Sequence, residues 1–163
     1  MKRTFALLLA ILMLAATLAA CGSKTVKTTI DAKYDDGFAK SYANSTSVDS
    51  DGNTTYEFTE EQYEQFTNDY RNSVSSDISS GIAAAHEETY GEFAYVSEEK
   101  KAVIVGVHTD EYDEELAKSE ANIAAENGFR YFQSIANPVS TITVIYCNAN
   151  NQDEVFGTFE FSI

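Results

Sequence analysis

Tryptophan is absent from this chain, proline occurs once, and cysteine and histidine occur twice each. Two cysteines exclude a disulfide-framed mini-protein and a four-thiolate zinc site. Basic charge is scarce as well: 11 lysines and arginines face 26 acidic residues, for a net charge of −15. A polyanion repels phosphate backbones and anionic lipid surfaces, which sets nucleic acid aside as a partner. No glycine-rich phosphate loop follows a strand pattern, and no Gly-x-Ser-x-Gly elbow occurs. Past residue 20, no run is long and apolar enough to span a bilayer. What remains is 163 residues, 44% apolar and 23% charged, which is the composition of one ordinary globular domain.

The first 21 residues carry the most specific signal. Met1-Lys2-Arg3 is a short positive start, and residues 5–20 form an apolar run broken only by Thr17. That run is too short to cross a hydrocarbon core of roughly 30 Å comfortably, and it ends in small residues, as a secretory signal does. Leu18-Ala19-Ala20-Cys21 resembles the lipobox of bacterial lipoproteins and matches it at all four positions. The resemblance implies transfer of a diacylglyceryl group, with chains such as palmitate, to the Cys21 thiol and then cleavage just before Cys21. The protein is then expected at the cell membrane, lipid-anchored and facing the outside. Two acyl chains, at about 0.8 kcal/mol per buried methylene, anchor durably where one would not. Loss of Lys2 and Arg3 with the leader takes the net charge from −15 to −17. The expected organisation is a signal peptide over 1–20, a lipidated N-terminus and flexible tether over 21–36, and a single domain over 37–163.

Within 37–163 the pattern predicts an α+β domain of order ββαββαββ. An antiparallel sheet of about six strands in three hairpins carries two long helices packed on one face. Phe38, Lys40 and Tyr42 alternate with small residues, and so do Tyr56 and Phe58, around an Asp51-Gly52 turn. Tyr63, Phe66, Tyr70, Val74, Ile78 and Ile82 recur at steps of three or four, predicting a helix over 59 to about 88. Thr59 and Gln62 have capping-box spacing, and Gly91 stands where a stop is wanted. Residues 92–97 and 102–108 form a second hairpin, with Val103, Val105 and Val107 on one face. A helix from about 109 to 137 carries Tyr112, Leu116, Ala117, Ala121, Ala124, Gly128, Phe132 and Ile135 along one side. Alternatively, Gly128 ends that helix early and 129–135 become a further strand. Residues 139–147 and 154–161 make the third hairpin around a polar loop, with Val155, Gly157, Phe159 and Phe161 on one face. The acidic helix starts at Thr59 and Thr109, 50 residues apart, suggest either a duplicated helix–hairpin unit or the ordinary rhythm of such a fold.

Candidate chemistry is sparse. Asp49, Asp51, Asn53 and Glu60 fall at positions one, three, five and twelve of a calcium loop, but Thr54 stands where glycine is required. A solvated hairpin turn is the competing reading, and a calcium-stabilised surface module the functional one. His86-Glu87-Glu88-Thr89-Tyr90 begins like a zinc-protease helix, with Tyr90 in place of the second histidine. A small envelope hydrolase or metal-dependent enzyme would need His86 and His108 to converge through the fold. The carboxylate runs at Glu60-Glu61, Glu87-Glu88, Glu98-Glu99 and 113–115 read as solvated helix starts and turns. Cys147, inside an apolar strand, reads as a small buried hydrophobe. The leading expectation is therefore a non-enzymatic binding or accessory domain, with no cofactor, for an envelope protein or extracellular ligand. Its contact surface is expected on the exposed face of the sheet.

Overall fold

The computed structural model describes residues 24–85, 92–135 and 137–163, the side chains of 84 and 85 excepted. The α+β class holds, and the described residues form seven strands and two long helices. In chain order these are β1 (Thr25–Ile30), one turn of 3-10 helix (Phe38–Ser41), β2 (Ser45–Val48), β3 (Thr54–Thr59) and α1 (Glu60–Ala85). After them come β4 (Phe93–Ser97), β5 (Ala102–Val107), α2 (Glu114–Ser134), β6 (Thr141–Asn148) and β7 (Asn151–Ser162). No described helix is long and apolar enough to cross a membrane.

The strands make two sheets rather than one. The first has order β1-β3-β2 and is antiparallel throughout; the second has order β4-β5-β6-β7. β5 and β6 run parallel, from Ala102 against Thr143 to Val107 against Asn148, so the expected all-antiparallel sheet is corrected to a mixed one. α2 is the crossover that a parallel pair needs. Every residue of β5 is buried, under the helices on one face and under the side chains of Phe93, Tyr95 and Ile145 on the other, as suits a central strand.

β1 corrects the expected tether over 21–36. Its inward residues Val26, Thr28 and Ile30 include a threonine, which hid the alternation from an apolar count. Thr28 is buried and its hydroxyl donates to the Ser134 carbonyl at 3.4 Å. The predicted strand at Phe38–Tyr42 is instead the 3-10 turn. Asp35 and Asp36 accept from the Gly37 and Phe38 amides, and Gly37 takes φ +79°. Phe38 and Tyr42 share a side there, with rings 5.6 Å apart.

α1 forms as its stripe predicts, with Phe66, Tyr70, Val74, Ile78 and Ile82 all buried. The capping box is made: the Gln62 amide donates to Thr59 Oγ1, and the Thr59 amide donates to Gln62 Oε1. The expected stop at Gly91 lies outside the described residues. α2 starts at Glu114, later than expected, because Asp113 is its cap and accepts from the Leu116 amide at 2.9 Å. Gly128 neither ends the helix nor starts a strand. A Cβ there would meet the Ile142 and Val103 side chains, so the missing side chain lets α2 settle onto β5 and β6. Ala117, Ala121 and Ala124, fully buried, extend that close contact.

The third hairpin is tighter than expected, with β7 starting at Asn151. Tyr146 faces Gly157 while Cys147 faces Val155, so Phe156 is the extra residue of a bulge. The bulge turns Val155 outward, 53% exposed, against expectation. It aims Phe156 at Tyr112, which precedes α2 rather than lying on it.

Both helices pack on one face of the four-stranded sheet. Ala94, Val96, Val103, Val105, Val107, Ile142, Val144 and Tyr146 join them in one core that continues into Ile30, Tyr56 and Phe58 of the other sheet. Phe58 stacks on Phe66 at 5.3 Å, which ties β3 to α1.

Candidate functional site

The proposed calcium ligands do not converge. Asp49 Oδ1 accepts from the Asp51 amide at 2.9 Å and the Asn53 amide at 3.0 Å, and Oδ2 accepts from the Asn53 side chain at 3.1 Å. Slight burial would raise this carboxyl, but those hydrogen bonds outweigh it and hold it below its ordinary value. Glu60 lies at the far end of the six-residue β3, roughly 20 Å away at strand rise, and pairs with Lys24 at 3.8 Å. The Asp49 carboxylate is committed to closing its own turn, with Gly52 at φ +88°. No group of three or more metal-ligating side chains occurs among the described residues.

His108 Nε2 lies 2.7 Å from Glu92 Oε1. That hydrogen bond, with Asp110 and Glu111 nearby, pushes the imidazole above its usual value. His86, Glu87 and Glu88 lie outside the described residues. Cys147 is buried with its sulfur directed at the Val105 carbonyl, 3.7 Å away, and burial pushes its thiol up.

Several carboxylates act as fasteners for tyrosines. Tyr56 donates to Asp35 at 2.9 Å, Tyr70 to Asp36 at 3.0 Å and Tyr42 to Asp69 at 3.0 Å. Glu98, in the β4–β5 turn, takes a 2.6 Å bond from Tyr131 and an ion pair from Arg71. Burial and Asp35 push Tyr56 up to about 12, and burial pushes Tyr70 and Tyr131 higher still. These phenols stay protonated at any physiological pH. They serve as donors that pin the 35–36 loop to β3 and α1 and the β4–β5 turn to α2.

Among the described residues, the surfaces that could receive a ligand include an open sheet face and a recess beside α2. The face of the four-stranded sheet away from the helices holds Ala102, Ile104 and Cys147 under Phe93, Tyr95 and Ile145. The Phe93 ring lies across Gly106, its strand partner, and occupies the space a Cβ would need. Phe93 and Tyr95 sit 6.0 Å apart, and Tyr95 donates to Gln152 on β7 at 3.0 Å. The second surface is a recess between α2, the end of β7 and the turn after β1. It uses Ala125 and Phe129, which are buried but absent from the apolar stripe read in the sequence. A second set at i, i+3, i+4 and i+7, Asn122, Ala125, Glu126 and Phe129, was the available signal; its mixed polarity concealed it.

The whole is an α+β protein of two small sheets joined by a helix pair. Set beside known protein families, curated proteins and solved structures, the chain matches none of them.

Proposed function

We propose that this chain is a bacterial lipoprotein, anchored through Cys21 outside the cytoplasmic membrane, and that its domain is a non-enzymatic module receiving an envelope protein. The observation that carries the reading is the spacing from anchor to fold. Only Gly22, Ser23 and Lys24 separate the lipobox cysteine from β1. That stem reaches at most about 14 Å when fully extended. A domain on so short a stem works at the membrane surface, where its partners are other envelope components.

The open sheet face suits such contact. Phe93 and Tyr95 offer large, rigid aromatic area at low entropic cost, as hot-spot residues do. Their backbone is held by the pairing of β4 with β5, so little ordering is needed on binding.

The test is made in cells. An alkyne analogue of palmitate should label the wild-type chain and not Cys21→Ala; equal labelling of both sinks the anchor. A photo-crosslinking amino acid at Tyr95 should capture a reproducible envelope protein, and Ile145→Lys should abolish the capture. Capture that survives Ile145→Lys removes the sheet face from the proposal.

A further inference from the structure

The recess beside α2 has walls from three separate elements. α2 supplies Asn122, Ala125, Glu126 and Phe129, the last residues of β7, Phe161 and Ser162, line a second side, and Lys33 and Tyr34 close the third. Its volume is about 260 Å³. That is just under the range of roughly 300–1,000 Å³ usual for drug-sized ligands, so it suits a smaller molecule.

Polarity divides the recess into floor and rim. Ala125 and Phe129 are buried, and Tyr34 and Phe161 half-buried, giving an apolar, largely aromatic floor. Lys33, Asn122, Glu126 and Ser162, with the apolar Ile163, are exposed at the rim. The walls are fixed before any ligand arrives. The Lys33 amide donates to Asp31 Oδ1 and the Tyr34 amide to the Asp31 carbonyl, both at 2.8 Å. The Ile163 amide donates to the Ser140 carbonyl at 3.1 Å, which holds the end of β7 in place. The Lys33 ammonium rests over the Tyr34 ring, 4.9 Å from its centroid and 3.3 Å from its hydroxyl. In a chain with so few basic residues, this places one cation beside the aromatic floor, on a recess that Glu126 also lines.

From this we infer a binding site for a small zwitterion with an apolar side chain, a free amino acid of the leucine or phenylalanine type. The side chain fills the floor over Ala125 and Phe129. The ligand carboxylate faces Lys33 and its ammonium faces Glu126, with Asn122 and Ser162 as neutral hydrogen-bonding groups. A fatty acid or a simple amine would satisfy one rim charge and leave the other facing an apolar or like-charged group. Electrostatic matching of both ends therefore favours the zwitterion.

The absence of tryptophan supplies the reporter, because Phe161→Trp in the full-length chain puts a single indole in the wall. L-phenylalanine and L-leucine should change its emission saturably below about 10 mM, a weak but specific affinity. Phenylpropionate, lacking the ammonium, and phenethylamine, lacking the carboxylate, should bind at least about tenfold more weakly. In the chain without the reporter, amide resonances of 33–34 and 122–129 should shift with L-phenylalanine. Ala125→Met, which fills the floor, and Lys33→Glu should each abolish those shifts while circular dichroism stays unchanged; Lys27→Glu, on β1 outside the recess, should leave them intact. Three results overturn the proposal: no saturable response to either amino acid, equal binding of the two one-charge analogues, or undiminished binding by folded Lys33→Glu.

Discussion

Glu120 is 2% exposed on α2, beside the fully buried Ala121 and one turn from Ala117. Burial pushes its carboxyl up to about 7 from an ordinary 4.5. A raised value in the folded state means that folding retains a proton which the unfolded chain releases. The associated stability is full below about pH 4.5 and is lost as pH rises through about 7. Glu120→Gln, with similar shape and no charge, should therefore raise the melting temperature at pH 8 and change it little at pH 4.5. A gain of about 1–3 kcal/mol at pH 8 is expected, with thermal unfolding at the two pH values as the measurement. Equal melting of wild type and variant at pH 8 would show that burial does not govern this carboxyl. Elsewhere single residues act through pairing: the hydrogen bonds of Tyr131 and Arg71 outweigh burial at Glu98 and hold its carboxyl below the ordinary range.

Elements in this fold are decided by how closely they approach one another. At Gly128, helix propensity alone favours alanine by about 1 kcal/mol. Packing opposes it, since the new Cβ would sit 2.8 Å from Val103 Cγ2 and nearer still to Ile142, both fully buried with no room to turn away. Overpacking costs about 1–3 kcal/mol and wins. Gly128→Ala should lower stability by up to about 2 kcal/mol, read by urea denaturation; a stabilised variant would mean that α2 lies farther from the sheet. The same closeness explains which elements were legible in the sequence. α1 announced itself through a single apolar stripe and a capping pair three residues apart, both local. Phe38 and Tyr42 were misread because a period of two and a step of four agree at those positions; the Asp35 and Asp36 hydrogen bonds decide for the turn. β1 was missed because its inward Thr28 gains a partner only from Ser134, 106 positions away.

At the scale of the whole molecule, the proposed anchor and the net charge act together. If the leader is removed as proposed, a body of charge −17 on a stem of at most about 14 Å cannot retreat far beyond the screening length of about 8 Å at physiological salt. Lys24 and Lys27, paired with Glu60 and Glu57, lie at the base of that stem and offset acid there. If the partner is itself held in the membrane, the stem length sets the height at which the open sheet face meets it. Ten Gly/Ser residues inserted between Ser23 and Lys24 would add an r.m.s. reach of about 16–19 Å. Palmitate labelling should be unchanged, and capture at Tyr95 should fall several-fold. Undiminished capture would mean that the partner is not fixed in height.

From sequence alone come the properties written within a few residues of one another. These are the leader and lipobox likeness, the acidic balance that disfavours nucleic acid, both long helices, and the turn at Gly52 that leads into β3. Tertiary structure alone decided the split into two sheets, the parallel β5–β6 pair, the bulge at Phe156 and the recess beside α2. The reason is physical. Helix period and capping depend on neighbours within about four positions, whereas strand partners and recess walls depend on surfaces that distant segments present only after they pack.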